Sequence, residues 1–168
     1  MIALPKRAER GGFGMKSFSH FLGIRTVLRL PTSDLSGARA ILDLHENKIK
    51  ALADDGTLPA WNITRDPRGA SARTERRFLT RAVRDLAEGR PVTCDEDLIV
   101  TLLYGRQRPV ILGKDFSRSW NCDSGHVCNL IEDGTLQLAQ GTSYGRGRGC
   151  TSEITWASAL AFMRDRRL

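Results

Sequence analysis

What the 168-residue chain lacks narrows its class before any motif is read. No apolar run approaches the roughly 18 residues that a membrane-spanning helix needs. Met1 to Leu4 are apolar, but Lys6, Arg7 and Arg10 follow at once, so the tripartite order of a signal peptide is missing. These two absences predict a cytoplasmic protein with no membrane partner. Cysteine is sparse: Cys94, Cys122, Cys128 and Cys150 are too few for a disulfide scaffold and are expected as thiols. Lysine is scarce as well, supplying only Lys6, Lys16, Lys48, Lys50 and Lys114 of the 26 basic residues.

What is present is arginine. The net charge is +7, and a basic surface attracts polyanions, of which nucleic acid is the commonest. A guanidinium fork matches phosphate and guanine better than an ammonium point charge does. Forty per cent of the residues are hydrophobic, which is enough for a packed core. The length fits one ordinary domain or two small ones.

An internal repeat organises the chain. Asp55-Gly56-Thr57-Leu58 recurs as Asp133-Gly134-Thr135-Leu136, an offset of 78 residues. The same offset pairs Leu52 with Leu130, Ile49 with Val127, Arg68-Gly69 with Arg146-Gly147, Glu75 with Glu153, and Phe78 with Trp156. Farther upstream the register looks broken, because Asp34-Leu35-Ser36 matches Asp115-Phe116-Ser117 only with about three extra residues in the first copy.

Each copy reads as the same string of elements. A short helix is expected over about 34–42 and again over about 114–120. A tight turn and a second helix follow, the later one starting near Asp123 or Ser124, both good N-caps. Val127, Leu130 and Ile131, and their counterparts Ile49, Leu52 and Ala53, fall at i, i+3, i+4 and form one apolar stripe. Gly56 and Gly134 stop these helices just past their ends. A hairpin-like stretch rich in Gly, Arg and Thr comes next, then a closing helix. Its inner face is expected from Phe78, Leu79, Ala82, Val83 and Leu86 in the first copy, and from Ile154, Trp156, Leu160 and Met163 in the second.

The run His126-Val127-Cys128-Asn129-Leu130-Ile131-Glu132-Asp133-Gly134-Thr135-Leu136 resembles the DNA-reading segment of winged helix-turn-helix proteins of the MerR type and of phage excisionases. Lys48-Ile49-Lys50-Ala51-Leu52-Ala53-Asp54-Asp55-Gly56-Thr57-Leu58 carries the same likeness, and together the two copies cover about 110 residues. The resemblance implies an α+β chain, mainly α with small β wings, built as a tandem winged helix-turn-helix. It implies a non-enzymatic, sequence-specific partner of double-stranded DNA that needs no cofactor. The boundaries expected are a basic, partly disordered segment over 1–29, a first unit over 30–89, a linker with one short element over 90–109, and a second unit over 110–168. Within the linker, residues 95–104 fit a helix or a strand. Met15 is a second candidate start, and Phe18, Phe21, Leu22, Val27 and Leu28 are candidates to cover the core.

The residues expected at DNA follow from that layout. A reading helix needs one apolar face for its own core and one polar face for the major groove. The polar set is Glu46, Asn47, Lys48 and Lys50 in the first copy, and Ser124, His126, Cys128 and Asn129 in the second. Asn129 suits adenine, and His126 suits a guanine edge or a phosphate. The family pattern carries larger side chains where Cys128 stands. Arg65, Arg68 and Arg73 flank the first wing, and Arg146 and Arg148 sit on the second, where arginine grips phosphates or enters a minor groove. Residues 121–136 hold three acids and no Lys or Arg, so the second copy is the weaker DNA partner, a homodimer surface or a protein contact. A transcription regulator of a phage or mobile element, an excisionase-like architectural factor and an adaptor all remain open.

Other chemistries fit less well. Cys122, His126, Cys128 and Cys150 lack a usual zinc spacing, so no metal is expected. Asp95, Glu96 and Asp97 have no catalytic partner nearby and read as a helix N-terminus, which favours acids. Gly145-Arg146-Gly147-Arg148-Gly149 lacks the Gly-Lys-Ser/Thr ending of a phosphate loop. Trp61, Trp120 and Trp156 read as core.

Overall fold

The computed structural model describes residues 29–64, 75–92, 94–142 and 151–168. The segments 1–28, 65–74, Thr93 and 143–150, which include the expectations made for Phe18 to Leu28 and for both wing tips, lie outside the described residues. Among those described, the fold is α+β, with seven helices and small antiparallel sheets.

The first half begins with β1 (Thr32–Ser33), and Asp34 then caps α1 (Leu35–Leu42) by accepting from the Gly37 N–H at 2.7 Å. Asp43 ends α1 in the left-handed region (φ 52°), which turns the chain into α2 (Glu46–Asp54) after only residues 43–45. Gly56 (φ 77°) stops α2. Strands β2 (Ala60–Asn62) and β3 (Arg76–Leu79) pair, β1 pairs on the other side of β3, and α3 (Thr80–Ala87) closes the half. Helix α4 (Glu96–Tyr104) connects the halves, so the 95–104 segment is a helix, with the Asp95 carboxylate accepting from the Leu98 N–H at 2.8 Å.

The second half repeats the order with β4 (Val110–Leu112), α5 (Gly113–Trp120), α6 (Ser124–Glu132), β5 (Glu153–Thr155) and α7 (Trp156–Asp165). Here the structure corrects the sequence register twice. The 78-residue offset is unbroken upstream: α1 maps onto α5 from first residue to last, and the left-handed Asp43 onto the left-handed Asn121 (φ 47°). The match between Asp34-Leu35-Ser36 and Asp115-Phe116-Ser117 was a coincidence of letters. Downstream the offset shortens. The pair Ala60↔Phe78 recurs as Leu138↔Ile154, so Phe78 corresponds to Ile154 rather than Trp156, and the second hairpin is two residues shorter. The inner face of α7 is accordingly Ser158, Ala159, Phe162 and Met163. Trp156 and Leu160 are only half-buried.

The buried side chains of both halves form one continuous cluster. Trp120, at the end of α5, meets Trp61 of β2 edge-to-face at 5.4 Å. Thr32 of β1 donates its hydroxyl to the Ser119 carbonyl at 2.7 Å. Arg77 of β3 donates to the carbonyls of Trp120 (2.9 Å) and Asn121 (3.0 Å), supplying charge and donors where the helix end presents bare oxygens. The last residues of the chain complete the join, since Asn62 donates to the Arg166 carbonyl and Leu168 to that of Ala60.

Tyr104 ties α4 into this seam. Its buried hydroxyl donates to the Ala159 carbonyl (3.1 Å) and accepts from the Trp120 indole N–H (3.0 Å). Burial pushes its phenol well above the ordinary value near 10. Because the folded value is raised, the associated stability is fully present below about pH 10 and falls away as pH rises above it. Tyr104→Phe leaves the Trp120 indole N–H unpaired and removes one of two donors to the Ala159 carbonyl, and is expected to cost about 1–3 kcal/mol at neutral pH. It is also expected to lessen the loss of stability above pH 10. Denaturant unfolding at pH 7 and pH 10.5 measures both; an unchanged midpoint at pH 7 would contradict the first.

Candidate nucleic-acid interface

Helices α2 and α6 are the second helices of the two helix–turn–helix segments and have matching bounds. In each, one position is buried in register, Ile49 and Val127, and fixes which side faces away from the core. The two starts are capped differently. His45 accepts through Nδ1 from the Asn47 N–H at 3.3 Å, while Asp123 accepts through its carboxylate from the His126 N–H at 2.7 Å. A carboxylate there favours the positive helix end but opposes a phosphate approaching the same end.

On α2, Asn47 and Lys48 are exposed, and Glu46 and Lys50 are half-exposed. Glu46 lies between two cations, 4.0 Å from Arg39 on α1 and 3.8 Å from Lys50 one turn on. Exposed pairs of this kind are weak and easily exchanged for a phosphate. Lys48 makes no ion pair among the described residues. Arg76, on β3, packs beside the helix end, donating to the Lys50 carbonyl (3.2 Å) and to Asp54 (2.8 Å). Asp55, just beyond, accepts from Thr57, which holds its carboxyl below the ordinary range.

On α6, Ser124 is exposed, but His126, Cys128 and Asn129 are half-buried. The His126 Nε2 is buried with no hydrogen-bond partner. No group of three or more His, Cys, Asp or Glu side chains is arranged to hold a metal ion among the described residues. Arg65, Arg68, Arg73, Arg146 and Arg148, the expected wing contacts, lie outside the described residues.

The structure brings Glu46, Asn47, Lys48 and Lys50 together on one helix, and Ser124, His126, Cys128 and Asn129 on the other. Arg39 and Arg76, which flank α2, were missed as neighbours because their proximity depends on the turn at Asp43 and on the strand register. Arg77 has the opposite outcome: a cation in the sequence, it is spent on the seam, with its side chain only 13% exposed. No helix among the described residues is long and apolar enough to cross a membrane. Comparison of the chain with protein families, curated proteins and solved structures found no match.

Because a buried nitrogen without a partner costs stability, His126→Met is expected to be neutral or stabilising by up to about 1 kcal/mol. Urea denaturation measures it, and a loss greater than about 1 kcal/mol would mean that Nε2 is satisfied in the folded protein.

Proposed function

We propose that this chain is a sequence-specific double-stranded DNA-binding protein, a tandem winged helix-turn-helix that regulates transcription on a phage or mobile element. The observation that carries the reading is the polar, lysine-bearing face of α2. It stands second in a helix–turn–helix, is followed by a hairpin, and belongs to a chain of net charge +7. A helix so placed offers side chains to base edges while its buried face rests on its own core. Lys48 and Lys50 neutralise phosphates, and Asn47 is the residue best suited to an adenine edge. An excisionase-like architectural role uses the same surface.

The second half supports a division of labour. Residues 121–136 carry three acids and no Lys or Arg, which suits phosphate poorly. In this reading α2 anchors the duplex and α6 adds selectivity through Asn129; in the alternative, α6 contacts a protein partner or a second copy of the chain and α2 alone protects the duplex.

Binding of the full chain to duplex DNA is expected to weaken by about a thousandfold between 50 and 200 mM salt if about six phosphates are neutralised. Lys48→Ala with Lys50→Ala is expected to weaken binding to every sequence and to reduce the log–log salt slope by about two units. Fluorescence anisotropy reads both. No binding at 50 mM salt, or a slope unchanged in the double variant, would overturn the proposal.

A further inference from the structure

We propose that a cleft at the start of α3 is a phosphate-group binding site, distinct from the face of α2. The cleft has a volume of about 280 Å³ and is lined by Arg29, Pro31, Thr80, Arg81, Arg84 and Leu102, among others. Three features of it favour an anion.

The first is charge. Three guanidinium groups border the cleft. Arg81 is held by Asp85 at 3.0 Å, and that carboxylate is shared with Arg90 at 2.7 Å. Arg29 and Arg84 are exposed and make no ion pair among the described residues.

The second is the helix end. Helix α3 starts without a side-chain cap. The Thr80 N–H donates to the Pro31 carbonyl at 3.0 Å, but that of Arg81, which lines the cleft, has no acceptor within the helix. An uncapped first-turn amide and the positive helix end together suit an oxyanion.

The third feature is independent of both. Thr80 is 3% exposed, and its hydroxyl is buried with no hydrogen-bond partner. Buried hydroxyls are nearly always paired, so one that is unpaired on the wall of an arginine-lined cleft points to an acceptor brought by a ligand.

The second half provides an internal comparison. In its register Thr80 becomes Trp156, Arg81 becomes Ala157, and Arg84 becomes Leu160. The backbone bond survives, since the Trp156 N–H donates to the Pro109 carbonyl at 3.1 Å. There, however, Thr155 caps the helix by accepting from the Ser158 N–H at 3.3 Å. The same backbone frame is thus closed in one half and left open, with arginines around it, in the other.

The ligand chemistry is a phosphate monoester or diester, from a small soluble ester or from a nucleic-acid backbone. The test is amide chemical-shift mapping on the intact ¹⁵N-labelled chain, titrated with inorganic phosphate against chloride at matched ionic strength. The Arg81 amide is expected to move with phosphate, and that of Ala157 to stay. Arg29→Ala with Arg84→Ala, both exposed, is expected to weaken phosphate binding at least about tenfold without loss of fold. A shift at Arg81 no larger than at Ala157, or binding unchanged in the double variant, would overturn the site. A second titration with a DNA duplex separates the sources. If the duplex moves the same amide and phosphate reverses the effect, the occupant is a backbone phosphate. If phosphate moves it and the duplex does not, the occupant is a soluble ester, and the site stands whether or not the chain binds DNA.

Discussion

The end of helix α5 is the point on which the rest of the structure depends. Its last residue, Trp120, is buried against Trp61 of the other half, its indole donates to Tyr104 of the connecting helix, and its carbonyl is taken by Arg77. The next residue, Asn121, turns left-handed and leads into α6. One residue position therefore joins the two halves, anchors the connecting helix and sets where α6 begins. The helix end is a natural place for such a join. Its last carbonyls lack intrahelical donors, and a guanidinium aimed at them satisfies two at once.

Two helices with the same bounds and opposite character follow from this construction. Their buried positions, Ile49 and Val127, are interchangeable in kind, so the frame tolerates the exchange of everything that faces outward. Lys48 becomes His126, Lys50 becomes Cys128 and Ala51 becomes Asn129. The same holds at the closing helices, where an open, arginine-ringed start in α3 corresponds to a capped and apolar one in α7. A duplicated frame with unlike surfaces gives one chain two chemically different outward faces.

Much of this frame is legible in the sequence, because it rests on local rules. The apolar stripes of α2 and α6, their glycine stops and the capping Asp123 are all written within a dozen residues of where they act. The seam is not legible. Arg77 contacts a carbonyl 43 residues away and Thr32 one 87 residues away, and no periodicity reports such pairings. The register failed for a related reason. A hairpin shortened by two residues shifts the following strand and helix by a step that leaves strand faces unchanged, so Phe78 against Trp156 looked as reasonable as Phe78 against Ile154. At the candidate interface, residue type marked Lys48 and Lys50, while the flanking Arg39 and Arg76 emerge only once the turn and sheet are built.

On the proposed reading, one chain presents two fused helix–turn–helix units to duplex DNA. The most direct test is a hydroxyl-radical footprint on a selected duplex, with the protein shown to be monomeric by sedimentation under the same conditions. The account predicts two protected segments centred about one helical turn, roughly 10 base pairs, apart and differing in sequence. A single protected segment no longer than one turn, or none at saturating protein, would contradict it.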